Sequence, residues 1–338
     1  MKCNPDPGHQ GVSRRVVLST IREYNIPYAR VYVCRRSSHS ECLQAMGPMG
    51  RMMTIGVLAV AGAVVLALAV VLAISPRVGT KRSGRPLPRL VDIPDGGWAW
   101  LNGRTVFFGH QSVGYNIVDG IGDLAGDGGL MNLPIVQGND AGGIGGAAFV
   151  HAPVGRNREP ESKLAEFREI LEKELGDKVD VALLKFCYVD VQRGCDPQRL
   201  LDSYCQTIEA LKARFANVIF VHVTVPLCGP PAGAIGILKV NIKRALGRAT
   251  VLDDNLVRSQ YNELLRQRFV GKEPVLDVAG YESIDPRGMQ WFVVWKGHEV
   301  PVLVPSYTDD GGHLNVVGRR HVAEQLLIEL AKLAEASR

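Results

Sequence analysis

Two short stretches concentrate the residue types that activate a hydroxyl for attack on a carbonyl. In FFGHQSVGYN, residues 107–116, Ser112 falls between a run of β-formers and a helical pattern. A serine at that junction presents its hydroxyl at a sheet edge beside free backbone N–H groups, which suits nucleophilic attack and oxyanion binding. The same position suits helix capping alone. In YTDDGGHLN, residues 307–315, Asp310 precedes His313 in an Asp-x-x-His spacing. On a loop, that spacing lets the carboxylate hold one imidazole nitrogen while the other faces outward as a base. Gly311 and Gly312 permit the tight backbone this folding-back requires. A glycine turn ahead of a helix capped by Asn315 accounts for the stretch as well.

Other residues carry weaker signals. Gly138 to Gly146 is glycine-rich but lacks the Gly-Lys-Ser/Thr of a phosphate-binding loop and does not follow the first strand as a dinucleotide fingerprint would. His110, His151 and His222 are scattered without metal-ligand spacing, so neither a metal nor a cofactor is expected. Cys187 is open to two readings, a nucleophile partnered by His313 or a buried small hydrophobe. His110 and Gln111 flank Ser112 and are expected either to contact substrate or to bond the helix end. Tyr188, Asp190 and the segment Trp291–Trp295 either line a cleft or pack in the core.

The elements that must position these residues alternate between strand and helix. RTVFFG is a strand ending at the serine turn, and NLPIVQ, residues 132–137, is a second strand. ESKLAEFREILEKEL places Leu164, Phe167, Ile170, Leu171 and Leu175 at helical spacing. KVDVALLKFCYVD and NVIFVHVTVPL are nearly continuous apolar runs, as in strands covered on both faces. MQWFVVWKGHEVPVLVP reads as a hairpin turning at Lys296-Gly297, and the last helix sets Val322, Leu326, Leu327, Leu330 and Leu333 on one face. This alternation predicts an α/β fold: a three-layer α/β/α sandwich with a mostly parallel, flavodoxin-like sheet. Ligands of such sheets bind beyond the C-terminal strand ends, where both stretches fall.

A serine after the first strand and Asp-x-x-His before the last helix is also the order found in SGNH, or GDSL-type, hydrolases, which the chain resembles from about Arg104 to its C-terminus. The resemblance implies a Ser112–His313–Asp310 triad and acyl-ester chemistry through an acyl-enzyme. This chain reads Gly109-His110-Gln111-Ser112 where the family has Gly-Asp-Ser, and it lacks the Gly-x-Asn-Asp block after the third strand. The resemblance then leaves the oxyanion donors to be found among Gly145, Gly146 and Asn157, with Tyr188 and Asp190 standing in the third block. The implied activity is a serine esterase acting on an acylated carbohydrate or small ester. The alternatives are an acyltransferase using the same triad, or an inactive domain that binds glycans or a protein.

The whole chain has 338 residues, 46% hydrophobic and 22% charged, enough to bury a sizeable core and not disordered. From Met52 to Pro76 no charged residue occurs, and this run predicts a transmembrane signal anchor spanning 52–76. Residues 1–51 read as an extension, one that carries no function if the natural start is Met46, Met49, Met52 or Met53. Residues 77–97 read as a linker rich in proline, glycine and basic residues, and 98–338 as the catalytic domain. Basic residues crowd the C-terminal side of the apolar run, which does not favour export; an extracytoplasmic domain is expected because N-terminal anchors commonly export the domain on their C-terminal side. The net charge of +5 comes largely from the terminal and juxtamembrane arginines, so anionic headgroups, not nucleic acid, are the expected contact. Cys187, Cys195, Cys205 and Cys228 are read either as two disulfides or as thiols.

Overall fold

The computed structural model describes residues 22–26, 29–33, 48–73, 75–84, 87–128, 133–138 and 146–336. They belong to two units, Met1–Ala73 and Ile74–Arg338. In the first, β1 (Arg22–Ile26) pairs antiparallel with β2 (Ala29–Val33), and α1 runs from Pro48 to Ala73 over 26 residues. Among the described residues no helix is long and apolar enough to cross a membrane. Several side chains of α1, including residues 67–73, lie outside the described set, as do most of residues 1–47. The anchor expectation therefore falls partly on residues outside that set.

The second unit is built on six parallel strands: β4 (Thr105–His110), β5 (Ile135–Gln137), β6 (Ala148–Pro153), β7 (Val181–Leu184), β8 (Ile219–Val223) and β9 (Val275–Leu276). Their order across the sheet is β5-β6-β4-β7-β8-β9. Leaving out the edge strand β5, this is the flavodoxin-like order. The chain leaves β4 first toward β6 and then crosses to β7 on its other side, so the end of β4 is the switch point where such sheets bind ligands.

All six residues of β4 are buried, and their alternation divides the core. Val106 and Phe108 face one layer with Val113, Ile117 and Ile121 of α3 (Val113–Gly128) and Val322, Leu326 and Leu330 of α9 (Val316–Ala336). Phe107 faces the other with Leu164 and Phe167 of α4 (Pro160–Ile170), Leu201 and Tyr204 of α5 (Pro197–Arg214) and Leu265 of α7 (Val251–Phe269). β7 repeats the pattern, with Val181 and Leu183 to the first layer and Ala182 and Leu184 to the second. The three-layer sandwich follows from this period-two division of doubly covered strands.

Several elements depart from the sequence expectation. Residues 77–97 are not a free linker. β3 (Arg77–Arg82) pairs antiparallel with β10 (Met289–Trp295), which also pairs with β11 (His298–Pro301). Leu87, Leu90 and Ile93 pack on the first core layer, and α2 (Asp95–Asn102) follows directly. The basic composition that suggested a linker is also what protects a sheet edge from pairing with other chains. The β10–β11 hairpin turns at Lys296 (φ 50°) and Gly297 (φ 81°), the left-handed pair that a two-residue turn needs. Hidden by its glycine-rich approach, β6 is a strand the periodicity did not mark. Two short helices were missed as well, α6 (Gly233–Ala245) and α8 (Val278–Ser283).

Candidate active site

Beyond the end of β4 the backbone turns sharply, and Ser112 adopts φ 52°. A residue with a Cβ enters the left-handed region only at a cost of about 1–2 kcal/mol. Bonds from the N–H of Gly114 to the Gln111 carbonyl (3.0 Å) and from Tyr115 to that of Ser112 (2.8 Å) hold the turn. Position 114 must be glycine, because a Cβ there would lie 2.3 Å from the His110 ring. The result is a serine hydroxyl pushed outward above α3, 2.7 Å from Nε2 of His313.

His313 is held from behind. Its Nδ1 lies 2.7 Å from Asp310 Oδ2, while Asp310 Oδ1 accepts the backbone N–H groups of Gly312 and His313, each at 2.8 Å. Partial burial alone would raise the Asp310 carboxyl pKa, but the bonds from the His313 ring and the two N–H groups outweigh it and hold it well below the usual carboxylate range. Gly311 at φ 84° makes the tight return possible. The loop is tied to the nucleophile's helix, since the Leu314 N–H donates to Asn116 Oδ1 at 3.2 Å. Asn315 accepts the N–H groups of Val317 and Gly318 at 3.1 Å. Its amide also donates to Asp309 at 3.1 Å. Capping and catalytic geometry therefore coexist in this stretch on different residues. The His313 and Asp310 side chains are 46% and 57% exposed, so the site is open to water.

Around the nucleophile, the loops after β4, β6 and β7 are joined. The Gln111 side-chain amide donates to the carbonyls of Val154 (3.1 Å) and Gly155, and Cys187 Sγ donates to the Gln111 carbonyl at 3.3 Å. Beneath them Lys163 and Asp190 form an ion pair at 2.6 Å with both side chains wholly buried. Asp190 also accepts the N–H groups of Cys187 (2.6 Å) and Arg158 (2.7 Å). Lys163 donates its remaining reach to Asn157 Oδ1 at 3.0 Å.

These contacts correct several sequence expectations. Asp190 faces Lys163 in the interior and is a brace between loops, not a substrate contact. His110 is fully buried and bonds His151 ring to ring at 3.0 Å, so it does not reach substrate. Burial, with Lys185 nearby, pushes its pKa down to about 2, leaving the imidazole neutral. Gln111 holds backbone carbonyls. Gly145 lies outside the described residues. Gly146 is at the wrong end of the sheet, its carbonyl accepting from Thr105 at the start of β4 (3.3 Å).

The glycine that follows the strand beside β4 is Gly155, which sequence reasoning missed. It has φ 57°, and a Cβ there would lie 2.5 Å from the Lys163 backbone nitrogen. The signal was the apolar run AAFVHAPVG ending in that glycine. Tyr188 does line the site: its ring sits 5.8 Å from that of His313. Asn157 is exposed on the loop after β6. Cys187, Cys195, Cys205 and Cys228 are all thiols. Among the described residues no cluster is suited to hold a metal ion.

No family model and no curated protein matches the chain. Solved structures with a similar chain path include a lipase/acylhydrolase from Enterococcus faecalis, at 13% identity and TM-score 0.40, covering 68% of this chain and 96% of that one. A carbohydrate esterase family 3 protein from Talaromyces cellulolyticus matches at 16% identity and TM-score 0.35, covering 69% and 97%. The periplasmic domain of a lipopolysaccharide acetyltransferase from Salmonella ser. Paratyphi A matches at 14% and TM-score 0.37, covering 67% and 83%.

Proposed function

We propose that the Ile74–Arg338 unit is a serine esterase of the SGNH kind that cleaves an acyl ester of a carbohydrate or another small alcohol. In this reading the N-terminal apolar helix anchors the chain in a membrane with the catalytic unit on the extracytoplasmic side. The observation that carries the reading is the continuous relay from Ser112 Oγ through His313 to Asp310, with 2.7 Å at both links.

His313 Nε2 accepts the Ser112 proton as Oγ attacks the ester carbonyl. Asp310, held ionised by the donors around it, fixes the tautomer and stabilises the imidazolium that forms. When the tetrahedral intermediate collapses, the carbon–oxygen bond to the alcohol breaks and His313 returns the proton to that leaving oxygen. A water molecule, deprotonated by His313 in turn, then attacks the acyl carbon; the bond from that carbon to Ser112 Oγ breaks, His313 returns the proton to Oγ, and the acid leaves. The oxyanion would be met by the Asn157 side-chain amide and the Ser112 backbone N–H. With its Oδ1 engaged by Lys163, Asn157 keeps its Nδ2 donors for a ligand. The exposure of His313 and Asp310 supports water as the acceptor.

The test is acid release from short-chain p-nitrophenyl esters and from acetylated sugars, with and without an added sugar acceptor. Hydrolysis lost in Ser112→Ala is expected. Acyl transfer to the sugar in preference to water would reassign the enzyme as a transferase, and no turnover of any ester by the folded chain would favour a binding domain.

A further inference from the structure

α6 is exposed along nearly its whole length and apolar on the side facing solvent. Ile235, Leu238, Ile242 and Leu246 are 71%, 45%, 50% and 62% exposed. At about 100° per residue they fall within an arc of roughly 80°. The opposite side attaches the helix to the unit through Val240, which packs with Leu252, Val293, Trp295 and Val302. An amphipathic helix of a globular protein turns its apolar stripe inward. Here a second stripe faces out, in a single row.

The charges carried by this segment are all of one sign. No Asp or Glu occurs between Gly229 and Leu252, whereas Lys239, Lys243 and Arg248 are exposed and Arg244 lies over the Trp295 ring. Lys239 and Lys243 lie along one edge of the stripe. An apolar row with lysines along its edge, whose long aliphatic stems let the ammonium groups reach past the row, has the composition of a helix lying in the plane of an anionic membrane surface. A protein partner of ordinary mixed charge would not require every flanking charge to be positive.

We infer that α6 docks the catalytic unit onto an anionic lipid surface, with Ile235, Leu238, Ile242 and Leu246 entering the headgroup–acyl boundary. The segment that leads from β8 to α6 passes the base loop, where the Gly229 N–H donates to the Gly311 carbonyl at 2.8 Å. The approach to α6 is thereby tied to the loop that carries His313. The docking does not rest on Ser112 being the nucleophile.

The experiment uses the full chain carrying Ile242→Trp as a reporter, its signal taken as the difference from the parent chain. Vesicles are phosphatidylcholine alone or with phosphatidylglycerol at about one lipid in three, each made with and without brominated acyl chains. The expected result is a blue-shifted emission quenched by brominated lipid in the phosphatidylglycerol vesicles. Lys239→Glu with Lys243→Glu should lower that quenching about fivefold or more, as should about 1 M salt, where the screening length is about 3 Å. The reporter reads how near α6 lies to lipid, independent of any esterase activity, and the charge-reversal and salt arms separate docking of α6 from simple tethering by α1. Three results would overturn the inference: no quenching in either vesicle, quenching insensitive to charge reversal and salt, or a blue shift without vesicles that accompanies dimer formation.

Discussion

Lys163 and Asp190 are a wholly buried pair that braces two loops, and removing one partner should reach the active site through both. Lys163→Met leaves the Asp190 carboxylate in the interior with only the N–H groups of Cys187 and Arg158. Breaking a buried pair in this way costs about 3–5 kcal/mol. For a unit of this size that lowers Tm by roughly 10 °C, at about 2–4 °C per kcal/mol. Lys163→Met combined with Asp190→Leu removes the stranded charge and should recover part of the loss, although the two N–H groups and Asn157 lose their acceptor and donor. The functional cost should persist in both, because Asn157 is no longer oriented. Labelling by a fluorophosphonate, measured well below each variant's Tm, should slow by about 10²–10³, the usual effect of losing one oxyanion donor. Asn157→Ala should slow labelling by the same factor with a smaller Tm drop than Lys163→Met, because Lys163 loses one acceptor but keeps Asp190. Thermal melts and labelling time courses on the four proteins suffice. A Tm drop below about 2 °C for Lys163→Met, or an Asn157→Ala chain that labels at the parental rate, would refute this account of the brace.

Further outcomes rest on single contacts. Asp310→Asn should keep the fold and lower ester turnover by about 10⁴, because an amide favours the wrong imidazole tautomer; steady-state kinetics measure it. The depressed pKa of Asp310 also carries a sign: its contribution to stability is present above the unfolded carboxyl's pKa and is lost as pH falls through the lower folded value, so the Asp310→Asn melt should vary less with pH on the acid side. Gly155→Ala forces a Cβ into the left-handed region against the Lys163 backbone and should cost more than about 1 kcal/mol, whereas Gly146→Ala meets nothing within 4 Å and should be near neutral in the same denaturation assay. Burial pushes the Glu282 carboxyl up to about 8, against the bond it accepts from the Leu227 N–H. The folded state then holds a proton that the unfolded state releases from about pH 4.5 upward, so stability falls with pH across that window, and Glu282→Gln should raise Tm more at pH 8 than at pH 5.

The residues of the relay could be read from the sequence because each depends on its immediate neighbours. Ser112 sits at a strand–helix junction, and the spacing of Asp310 and His313 is itself the geometry that makes them meet. The sequence could not place the oxyanion side of the site, because that depends on which strand lies beside β4. β6 is alanine-rich and preceded by glycines, so its period was invisible, and the search for a glycine moved to Gly145, outside the described residues, and to Gly146, at the opposite end of the sheet. Asp190 was misread for a related reason. A carboxylate after a central strand suggests a site, and only the fold reveals that Lys163, from a different helix, reaches it. In α6, Gly233 and Gly236 and an outward apolar row break the usual helical signature. The apolar stripe was therefore legible only once its exposure was known.

That Ser112 is a nucleophile driven by His313 is the central claim. The most direct measurement is covalent labelling of the full chain with a fluorophosphonate, with the adduct located by mass spectrometry, in the parent and in Ser112→Ala and His313→Ala. One adduct is expected, on Ser112, absent from Ser112→Ala and slowed by orders of magnitude in His313→Ala. An adduct on another residue, or labelling of Ser112 that proceeds unchanged without His313, would contradict it.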